Sequence, residues 1–181
     1  DITPDRVLVS PAPGAPKGAP GRLDQDPAWW QAPLYRGQEL IEKPADPTTL
    51  TRRYTEEAVR FINEKKDGRF FLYLAHTFPH VPLFASEKFR GQSPRGLYGD
   101  VVEEEDWSVG QVLDALRAAG VEKNTLVIFA SDNGPWLIEG LAGGSAGLLR
   151  DGKGSTWEGS MRVPGIAWWP GKVPPGTVCR E

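Results

Sequence analysis

Sulfur and imidazole are scarce in this sequence: Cys179 is the single cysteine, and His76 and His80 are the two histidines among 181 residues. One cysteine excludes a framework of internal disulfides. No apolar run is long enough to cross a bilayer, and a net charge of −3 argues against a general binder of nucleic acid or of anionic membranes. The candidates for function are therefore a few polar side chains in a chain of ordinary globular composition.

Glycine and proline, in contrast, are plentiful, with 21 glycines and 17 prolines, and they predict long irregular connections between the regular elements. Residues 1–47 have no sustained periodicity and are predicted to be a loop-rich excursion, whereas residues 48–181 carry the predicted helices and strands. A loop of that length is uncommon inside a compact domain. Because the chain also begins with Asp1, we expect it to be a piece of a longer protein whose fold begins upstream.

The apolar pattern of residues 48–181 alternates between helical and strand-like stretches. Two amphipathic stretches predict helices, and three short apolar runs rich in β-branched and aromatic residues predict strands. The first predicted helix begins within Pro47–Thr51 and ends within Lys65–Gly68, and the second runs from about Gly99 to Ala119. The predicted strands are Arg69–Ala75, Thr125–Ala130 and Arg162–Trp169. Since a helix separates the first two strands, we expect an α/β fold with a parallel sheet, a right-handed crossover and a central strand buried on both faces.

Polar residues follow the central predicted strand at once, in the stretch Ser131–Gly134. Open α/β sheets place their ligand sites at the carboxyl ends of their strands. Asp132 and Asn133 offer a carboxylate and an amide carbonyl, which are hard oxygen donors that suit calcium or magnesium and not zinc. By themselves these residues more often form an ordinary Asx turn, with Gly134 free to adopt a positive φ.

Both histidines lie just beyond the carboxyl end of the preceding predicted strand, in the stretch His76–Pro82. A histidine in a loop is usually a solvated or capping side chain. Two histidines at a second strand end nevertheless favour a functional site there.

Lys153 stands between Gly152 and Gly154. The stretch is not a Walker loop, because the glycine spacing before the lysine is wrong and no strand leads into it. Flanking glycines let the backbone and the ammonium both approach a ligand closely, and an ammonium suits an oxyanion. Most lysines between glycines, however, lie in solvated turns.

The second predicted helix carries an acidic cluster, Glu103–Asp106. We interpret it as a solvated helix face that complements the positive end of the helix dipole, in preference to a catalytic carboxylate pair. It therefore contributes no predicted site residue.

Four motifs, taken together and in this order, resemble the middle of a sulfatase of the arylsulfatase type, in the alkaline-phosphatase superfamily. The motifs are residues 70–82 (FFLYLAHTFPHVP), 98–110 (YGDVVEEEDWSVG), 125–135 (TLVIFASDNGP) and 152–164 (GKGSTWEGSMRVP). The resemblance covers roughly Leu50 to Val173. It implies an α/β fold with a partly parallel sheet flanked by helices, incomplete at both ends of this chain, of which residues 48–181 form the central-to-C-terminal part of the catalytic domain.

The resemblance also implies roles for individual residues. Asp132 and Asn133 match two calcium ligands of the family, with magnesium the less suitable ion. Lys153 and His80 match residues that contact the sulfate, and they would be the catalytic residues of this chain. Glu158 and Arg162 match a segment that we interpret as structural support, whereas His76 matches a less fixed position and receives no chemistry.

The departures from the family pattern concern the nucleophile and the rest of the metal site. The family's formylglycine is made from the cysteine of a Cys-x-Pro-x-Arg motif, which is absent here, as is the pair of adjacent aspartates that completes the calcium site. We expect both upstream of Asp1, and we expect the isolated chain to be inactive.

The implied substrate is a sulfate ester of a small molecule or glycan, with no nucleic acid or membrane span involved. Two alternatives stay open: a relative within the superfamily that acts on phosphate or phosphonate esters, and a non-catalytic calcium-binding module or inactive remnant. The sequence leaves the oligomeric state and the compartment undetermined, although the family often acts in secreted, periplasmic or lysosomal settings.

Overall fold

The structure, a computed structural model, describes residues 31–179. These residues contain α-helices, short strands and 3-10 helices. The α-helices are α1 (Leu50–Lys65), α2 (Gly96–Ala118) and α3 (Glu158–Met161), and the strands are β1 (Leu34–Arg36), β2 (Glu39–Glu42), β3 (Val127–Ala130) and β4 (Gly165–Trp168). The 3-10 helices are Pro47–Thr49, Glu122–Asn124 and Leu137–Ala142. In this part of the chain, no helix is both long and apolar enough to span a membrane.

The helices α1 and α2 pack against each other. Apolar residues recur at every fourth position of α1 and are buried: Leu50, Tyr54, Ala58 and Ile62. This spacing places them on one helical face, as the sequence predicts. The predicted second helix is also confirmed as α2, which begins three residues earlier than expected.

The ends of α1 follow the predicted signals in part. Asp46 caps the 3-10 turn before the helix, because its carboxylate accepts a hydrogen bond from the Thr48 N–H (3.0 Å). Thr49 occupies the N-cap position of α1 but makes no side-chain capping hydrogen bond. At the other end, the Gly68 N–H donates to the Lys65 carbonyl oxygen (3.0 Å), which confirms the predicted termination.

The strands β3 and β4 form an antiparallel ladder that pairs Val127 with Trp168 and Ala130 with Gly165. The chain turns back after α3, so β4 meets β3 in the opposite direction. The predicted strands near residues 125–130 and 162–169 are therefore present, but both two-stranded sheets within residues 31–179 are antiparallel. The expectation of a parallel sheet is not met by these described strands.

The other ladder is a hairpin of β1 and β2. Ion pairs of Arg36 with Glu57 and of Arg53 with Glu42 tie this hairpin to α1. The described end of the 1–47 stretch thus has regular structure that its sequence did not predict. Residues 1–30 of that stretch lie outside the described residues.

The predicted strand Arg69–Ala75 has no regular secondary structure and belongs to neither described sheet. Phe70 and Leu72 pack on the core cluster around Ile62, whereas the alternate residues Phe71 and Tyr73 are 85% and 79% exposed. This period of two is that of a strand with one covered face. The prediction of a buried strand is wrong for the described structure because a ladder needs a neighbouring strand, and none of the described ones lies beside it.

The acidic cluster of α2 is only partly a solvated face. Glu103 and Asp106 are exposed as predicted, but Glu104 is buried and accepts a hydrogen bond from the Ser86 N–H (2.8 Å). Glu105 is half-buried, and burial raises the pKa of its carboxyl to about 7. The interpretation as a solvated face is thus wrong for these two residues, because Glu104 is hydrogen-bonded to the loop at Ser86 and Glu105 is partly withdrawn from solvent.

Candidate active site

The loop after β3 presents two oxygen donors at the carboxyl end of that strand. The Ser131 hydroxyl donates to the Asn133 carbonyl oxygen (2.7 Å), and the Asn133 side-chain Nδ2 donates to the Gly134 carbonyl oxygen (2.8 Å). These bonds stabilise the turn of the loop. The second bond uses the nitrogen of the Asn133 side-chain amide, so its Oδ1 is the atom of that amide that can accept or ligate. Asp132 is exposed, so its carboxylate is accessible beside that amide.

A close backbone contact clamps this loop to α3. The Gly134 N–H donates to the Ser160 carbonyl oxygen (2.8 Å). A Cβ atom at Gly134 would overlap the Gly159 carbonyl oxygen, so only glycine allows the two backbones to approach this closely. The end of β3 is therefore held in a fixed place relative to the segment that contains Lys153.

Lys153 is anchored to the same loop through its backbone. Its N–H donates to the Pro135 carbonyl oxygen (2.8 Å). A Cβ atom at Gly152 would overlap that carbonyl oxygen, which is the steric reason for glycine directly before the lysine. The structure thus brings Lys153 next to the residues that follow Asp132 and Asn133, although they are about twenty positions apart in the sequence.

His80 reaches the same place from the loop after residues 69–75. Its Nδ1 lies 2.7 Å from the Val81 carbonyl oxygen, and its ring centroid lies 5.7 Å from that of Trp136, at an interplanar angle of 39°. The Lys153 Nζ lies 5.3 Å from the centroid of the same indole. The two predicted catalytic side chains are therefore neighbours around one aromatic ring.

His76 belongs to a different environment. Its Nε2 is 3.5 Å from the Ser108 hydroxyl, which is itself hydrogen-bonded to the Thr55 hydroxyl (2.6 Å) between α1 and α2. Its Nδ1 is buried without a hydrogen-bond partner among the described residues, and burial lowers the pKa of the imidazole. The structure thus places His76 at the helix interface, apart from the contacts of His80.

Glu158 and Arg162 form an ion pair of 2.7 Å across the single turn of α3, with both side chains exposed. The adjacent Gly159 donates its N–H to the Arg150 carbonyl oxygen (2.8 Å). The pair therefore lies on the turn that packs against the Asn133–Gly134 loop. Its supporting role stays a prediction.

The donor chemistry of this loop suits calcium, but the described residues would supply only a few of the ligands that this ion takes. Asp132 and Asn133 supply two hard oxygens, whereas calcium takes about six to eight oxygen ligands. Within residues 31–179, no group of three or more His, Cys, Asp or Glu side chains is arranged to hold a metal ion. The described residues can therefore supply only part of a calcium shell.

Trp136 is the residue of this site that sequence reasoning missed. The motif that singles out Asp132 and Asn133 ends at Pro135, one position before it. The signal that the sequence offered is its position directly after the predicted ligand loop, although its contacts with Lys153 and His80 are seen only in the structure.

The chain belongs to the sulfatase family. A family model described as Sulfatase matches residues 21–180. Steryl-sulfatase of Rattus norvegicus is 44% identical over 148 residues, which make up 78% of this chain and 26% of the rat protein. N-acetylgalactosamine-6-sulfatase of Mus musculus is 45% identical over 161 residues, which make up 82% of this chain and 31% of the mouse protein.

Solved structures give the same result for the fold. The crystal structure of Ps i-CgsB in complex with k-i-k-neocarrahexaose matches with a TM-score of 0.70 and 35% sequence identity, and the match covers 80% of this chain and 32% of that chain. The match of the Sulfatase family model and of the named relatives confirms the sulfatase resemblance predicted from the four motifs. The chain spans about a quarter to a third of the length of these relatives.

Proposed function

We propose that the complete protein hydrolyses sulfate esters, as a sulfatase of the arylsulfatase type, and that this chain supplies part of the active site. The observation that carries the proposal is the convergence of Lys153 and His80 on one ring, beside the loop of Asp132 and Asn133. A sulfate ester is an anion, and its hydrolysis requires positive charge near the non-bridging oxygens and a proton for the leaving alcohol. The site offers both kinds of group.

Lys153 would stabilise charge on the sulfate. Its side chain is half-buried, so its ammonium interacts with an anion more strongly than a fully solvated lysine does. Its backbone is held by the Pro135 carbonyl oxygen, which limits the positions that the ammonium can reach. A fixed donor of this kind costs little reorganisation when charge develops on the oxygens of the substrate.

His80 would donate a hydrogen bond to the sulfate or to the leaving oxygen. A carbonyl oxygen only accepts hydrogen bonds, so the contact with the Val81 carbonyl oxygen places a hydrogen on Nδ1 and leaves Nε2 as the second nitrogen. In the imidazolium form, Nε2–H is a donor that can pass its proton to the departing alkoxide.

Asp132 and Asn133 would hold a calcium ion together with ligands from elsewhere in the complete protein. When bound, the ion supplies positive charge that polarises the sulfate. A formylglycine, expected upstream of Asp1, would supply the nucleophile. This chain's own contribution is to bind and orient the anion and to deliver a proton.

The proposed substrate is a sulfate ester of a glycan or of a small alcohol. The named relatives include a steryl-sulfatase, whose name indicates a small alcohol, and an N-acetylgalactosamine-6-sulfatase, whose name indicates a sugar. The half-buried Trp136 and the exposed Leu137 beside the site offer apolar surface that suits the flat face of a sugar or sterol ring.

We further propose that residues 48–181 form the central-to-C-terminal part of the catalytic domain, after the loop-rich residues 1–47. In the complete protein, Phe70–Leu74 and β3 would join a larger, partly parallel sheet. The alternating burial of Phe70–Leu74 and the exposed apolar side chains of β3 support this, because apolar strand faces are normally covered in a folded protein.

The test is the turnover of an aryl sulfate by the complete protein and by its Lys153→Ala variant. We expect the variant to lower kcat about ten- to a thousandfold, which is the scale for loss of one oxyanion-stabilising donor. Lys172→Ala is the matched control, because it removes an exposed lysine that contacts no predicted site residue. Equal turnover by the Lys153 variant, or faster hydrolysis of aryl phosphate or phosphonate than of aryl sulfate, would contradict the proposal.

A further inference from the structure

We infer that Trp136 is a positioning residue, which holds the Lys153 ammonium and the His80 ring side by side at the candidate active site. The inference rests on the proposed function, since it concerns the two side chains that would contact the sulfate. Trp136 lies just outside the motifs that carry the family resemblance, so its role follows from its contacts in this chain.

The contacts of the indole are of two different kinds. The Lys153 Nζ lies over the ring at 5.3 Å from its centroid, within the range in which an aromatic face attracts a cation. The His80 ring lies 5.7 Å away at a tilt of 39°, a separation typical of paired aromatic rings. One side chain therefore contacts both of the groups on which the proposed chemistry depends.

The indole is itself held in place by the backbone of its loop. The Trp136 N–H donates to the Gly143 carbonyl oxygen (2.9 Å), and its own carbonyl oxygen accepts from the Glu139 N–H (3.0 Å). A Cβ atom at Gly143 would overlap that carbonyl oxygen, so the two ends of the loop meet only because residue 143 is glycine. Because its backbone is hydrogen-bonded and its side chain is half-buried, the indole can act as a fixed packing surface for neighbouring side chains.

Lys153 and His80 need such a surface for different reasons. Lys153 is fixed at its backbone by Pro135, but several rotatable bonds separate that backbone from Nζ, and ordering them costs conformational entropy. His80 is exposed and its hydrogen bond to the neighbouring Val81 is local, so the indole is the contact that connects it to the Lys153 side of the site. Loss of the ring would leave both groups present but less well placed.

A matched tryptophan elsewhere in the chain provides the control. Trp107 on α2 also carries a lysine over its ring, Lys88 at 5.0 Å from the centroid, and also contacts an aromatic ring, Phe89 at 5.9 Å. None of these three is a predicted site residue. Trp107→Leu therefore removes the same two kinds of contact as Trp136→Leu does, but away from the site.

The experiment compares kcat and KM of the complete protein for 4-nitrophenyl sulfate with those of Trp136→Leu, Trp136→Phe and Trp107→Leu. We expect Trp136→Leu to lower kcat about tenfold, the scale of a partly desolvated cation–π contact, and to change KM less than about twofold. Trp136→Phe should recover most of the loss because it keeps an aromatic face. Trp107→Leu should leave both constants unchanged. If the leucine variant does not fold, Trp136→Met replaces it as a variant with an adaptable side chain but no aromatic face.

Nuclear magnetic resonance gives a second readout that does not depend on turnover. Protons that lie over an aromatic face are shifted upfield by its ring current, so the ε-methylene protons of Lys153 and the ring protons of His80 should carry such shifts. In Trp136→Leu these shifts should disappear, and in Trp107→Leu they should persist. Titration with inorganic sulfate should shift the Lys153 and His80 signals further in the wild-type and Trp107→Leu proteins, and shift them less in Trp136→Leu, whose affinity for sulfate should change less than about twofold, because the ring positions these groups more than it binds the anion.

These readouts separate failure of the inference from failure of the proposed function. Wild-type kcat in Trp136→Leu, or a phenylalanine variant as slow as the leucine variant, would overturn the inference while the sulfatase activity stands. If the wild-type protein hydrolyses no sulfate ester, the proposed function fails, and the sulfate titration decides the inference. Smaller sulfate-induced shifts of the Lys153 and His80 signals in Trp136→Leu alone would then support it, and equal shifts in both variants would overturn it.

Discussion

The helix pair and the strand pair of this chain differ in how well each covers its own apolar side chains. In α1, Leu50 and Ile62 are 0% and 1% exposed, whereas Ile128 in β3 and Ile166 in β4 are 69% and 61% exposed. All four positions carry a branched aliphatic side chain, either leucine or isoleucine. The difference lies in the partner that each element finds within the chain.

The contrast follows from where each element forms its hydrogen bonds. A helix satisfies its interior backbone groups by itself and needs only one apolar partner for its buried face. An interior strand of a sheet needs a neighbour on each edge for its backbone, and in a parallel sheet it also needs a layer on each face for its side chains. Two packed helices are therefore nearly complete as a unit, whereas the two-stranded ladder of β3 and β4 is not.

The largest expected effect tests the completeness of the helix pair. Leu50→Ala in the complete protein should lower the free energy of unfolding by about 2–5 kcal/mol, because it leaves a cavity in a closely packed core. Leu141→Ala removes the same side chain at an 82% exposed position and should change the free energy by less than about 0.5 kcal/mol. Chemical denaturation of both variants gives the two values. Similar losses would mean that the helix core around Leu50 is no better packed than the exposed position 141, and the prediction would fail.

A smaller loss of stability, with a clear effect on activity, is expected in the strand region. Gly134→Ala places a methyl group against the Gly159 carbonyl oxygen and should cost about 1–3 kcal/mol through overpacking. It should also lower kcat/KM about ten- to a hundredfold, because a shift of the loop on the order of 1 Å misplaces the groups that it carries.

The control for this substitution lies in the helix pair. A Cβ atom at Gly110 in α2 would meet no other atom within 4 Å, and Gly→Ala in a helix interior stabilises by about 0.5–1 kcal/mol. Gly110→Ala should therefore raise the thermal unfolding temperature slightly and leave kcat/KM unchanged. If Gly134→Ala behaves like Gly110→Ala, the proposed clamp between β3 and α3 has no functional importance.

The same contrast explains which parts of the fold could be predicted from the sequence. The face of α1 and its end at Gly68 follow from local spacing and local capping, so they are visible in the sequence and found in the structure. The pairing direction of β3 is not a local property, because it depends on how the chain returns after α3. The runs Phe70–Leu74 and Thr125–Ala130 signal apolar strands, but not which strands lie beside them.

The candidate site shows a similar division. The motifs single out Asp132, Asn133, Lys153 and His80, and the structure brings Lys153 and His80 together around one ring. The chemistry of those four residues is a prediction that the geometry supports. Trp136 was not found as a site residue because its role depends on contacts with two segments that are distant in sequence. Such contacts become visible only in the folded chain.

The smallest expected effect concerns two neighbouring carboxylates inside the helix region. Glu104 is buried and accepts the Ser86 N–H, whereas Glu105 is half-buried and burial raises the pKa of its carboxyl from 4.5 to about 7. Burial and, second, the charge of Glu105 also raise the pKa of the nearby Tyr98 phenol. The helix region is thus well packed but contains one carboxyl group whose ionisation disfavours the fold.

The sign of the resulting pH dependence is fixed by the raised pKa. Below a pH of 4.5 the carboxyl is protonated in both states and has no effect. Between 4.5 and about 7 the unfolded chain releases this proton while the folded chain retains it, so stability falls as the pH rises through this window. Above about 7 the loss is complete and constant.

Glu105→Gln should remove this contribution. The unfolding temperature of the variant should exceed that of the wild-type protein by an amount that grows from pH 4.5 to 7, and thermal unfolding at several pH values measures it. Taking the difference between the two proteins cancels the titration of other groups, His76 included. Glu103→Gln changes an exposed neighbour and should give a difference that does not grow with pH. Parallel curves for Glu105→Gln and the wild-type protein would mean that the Glu105 carboxyl is solvated in the complete protein, and that the helix region contains no such unfavourable charge.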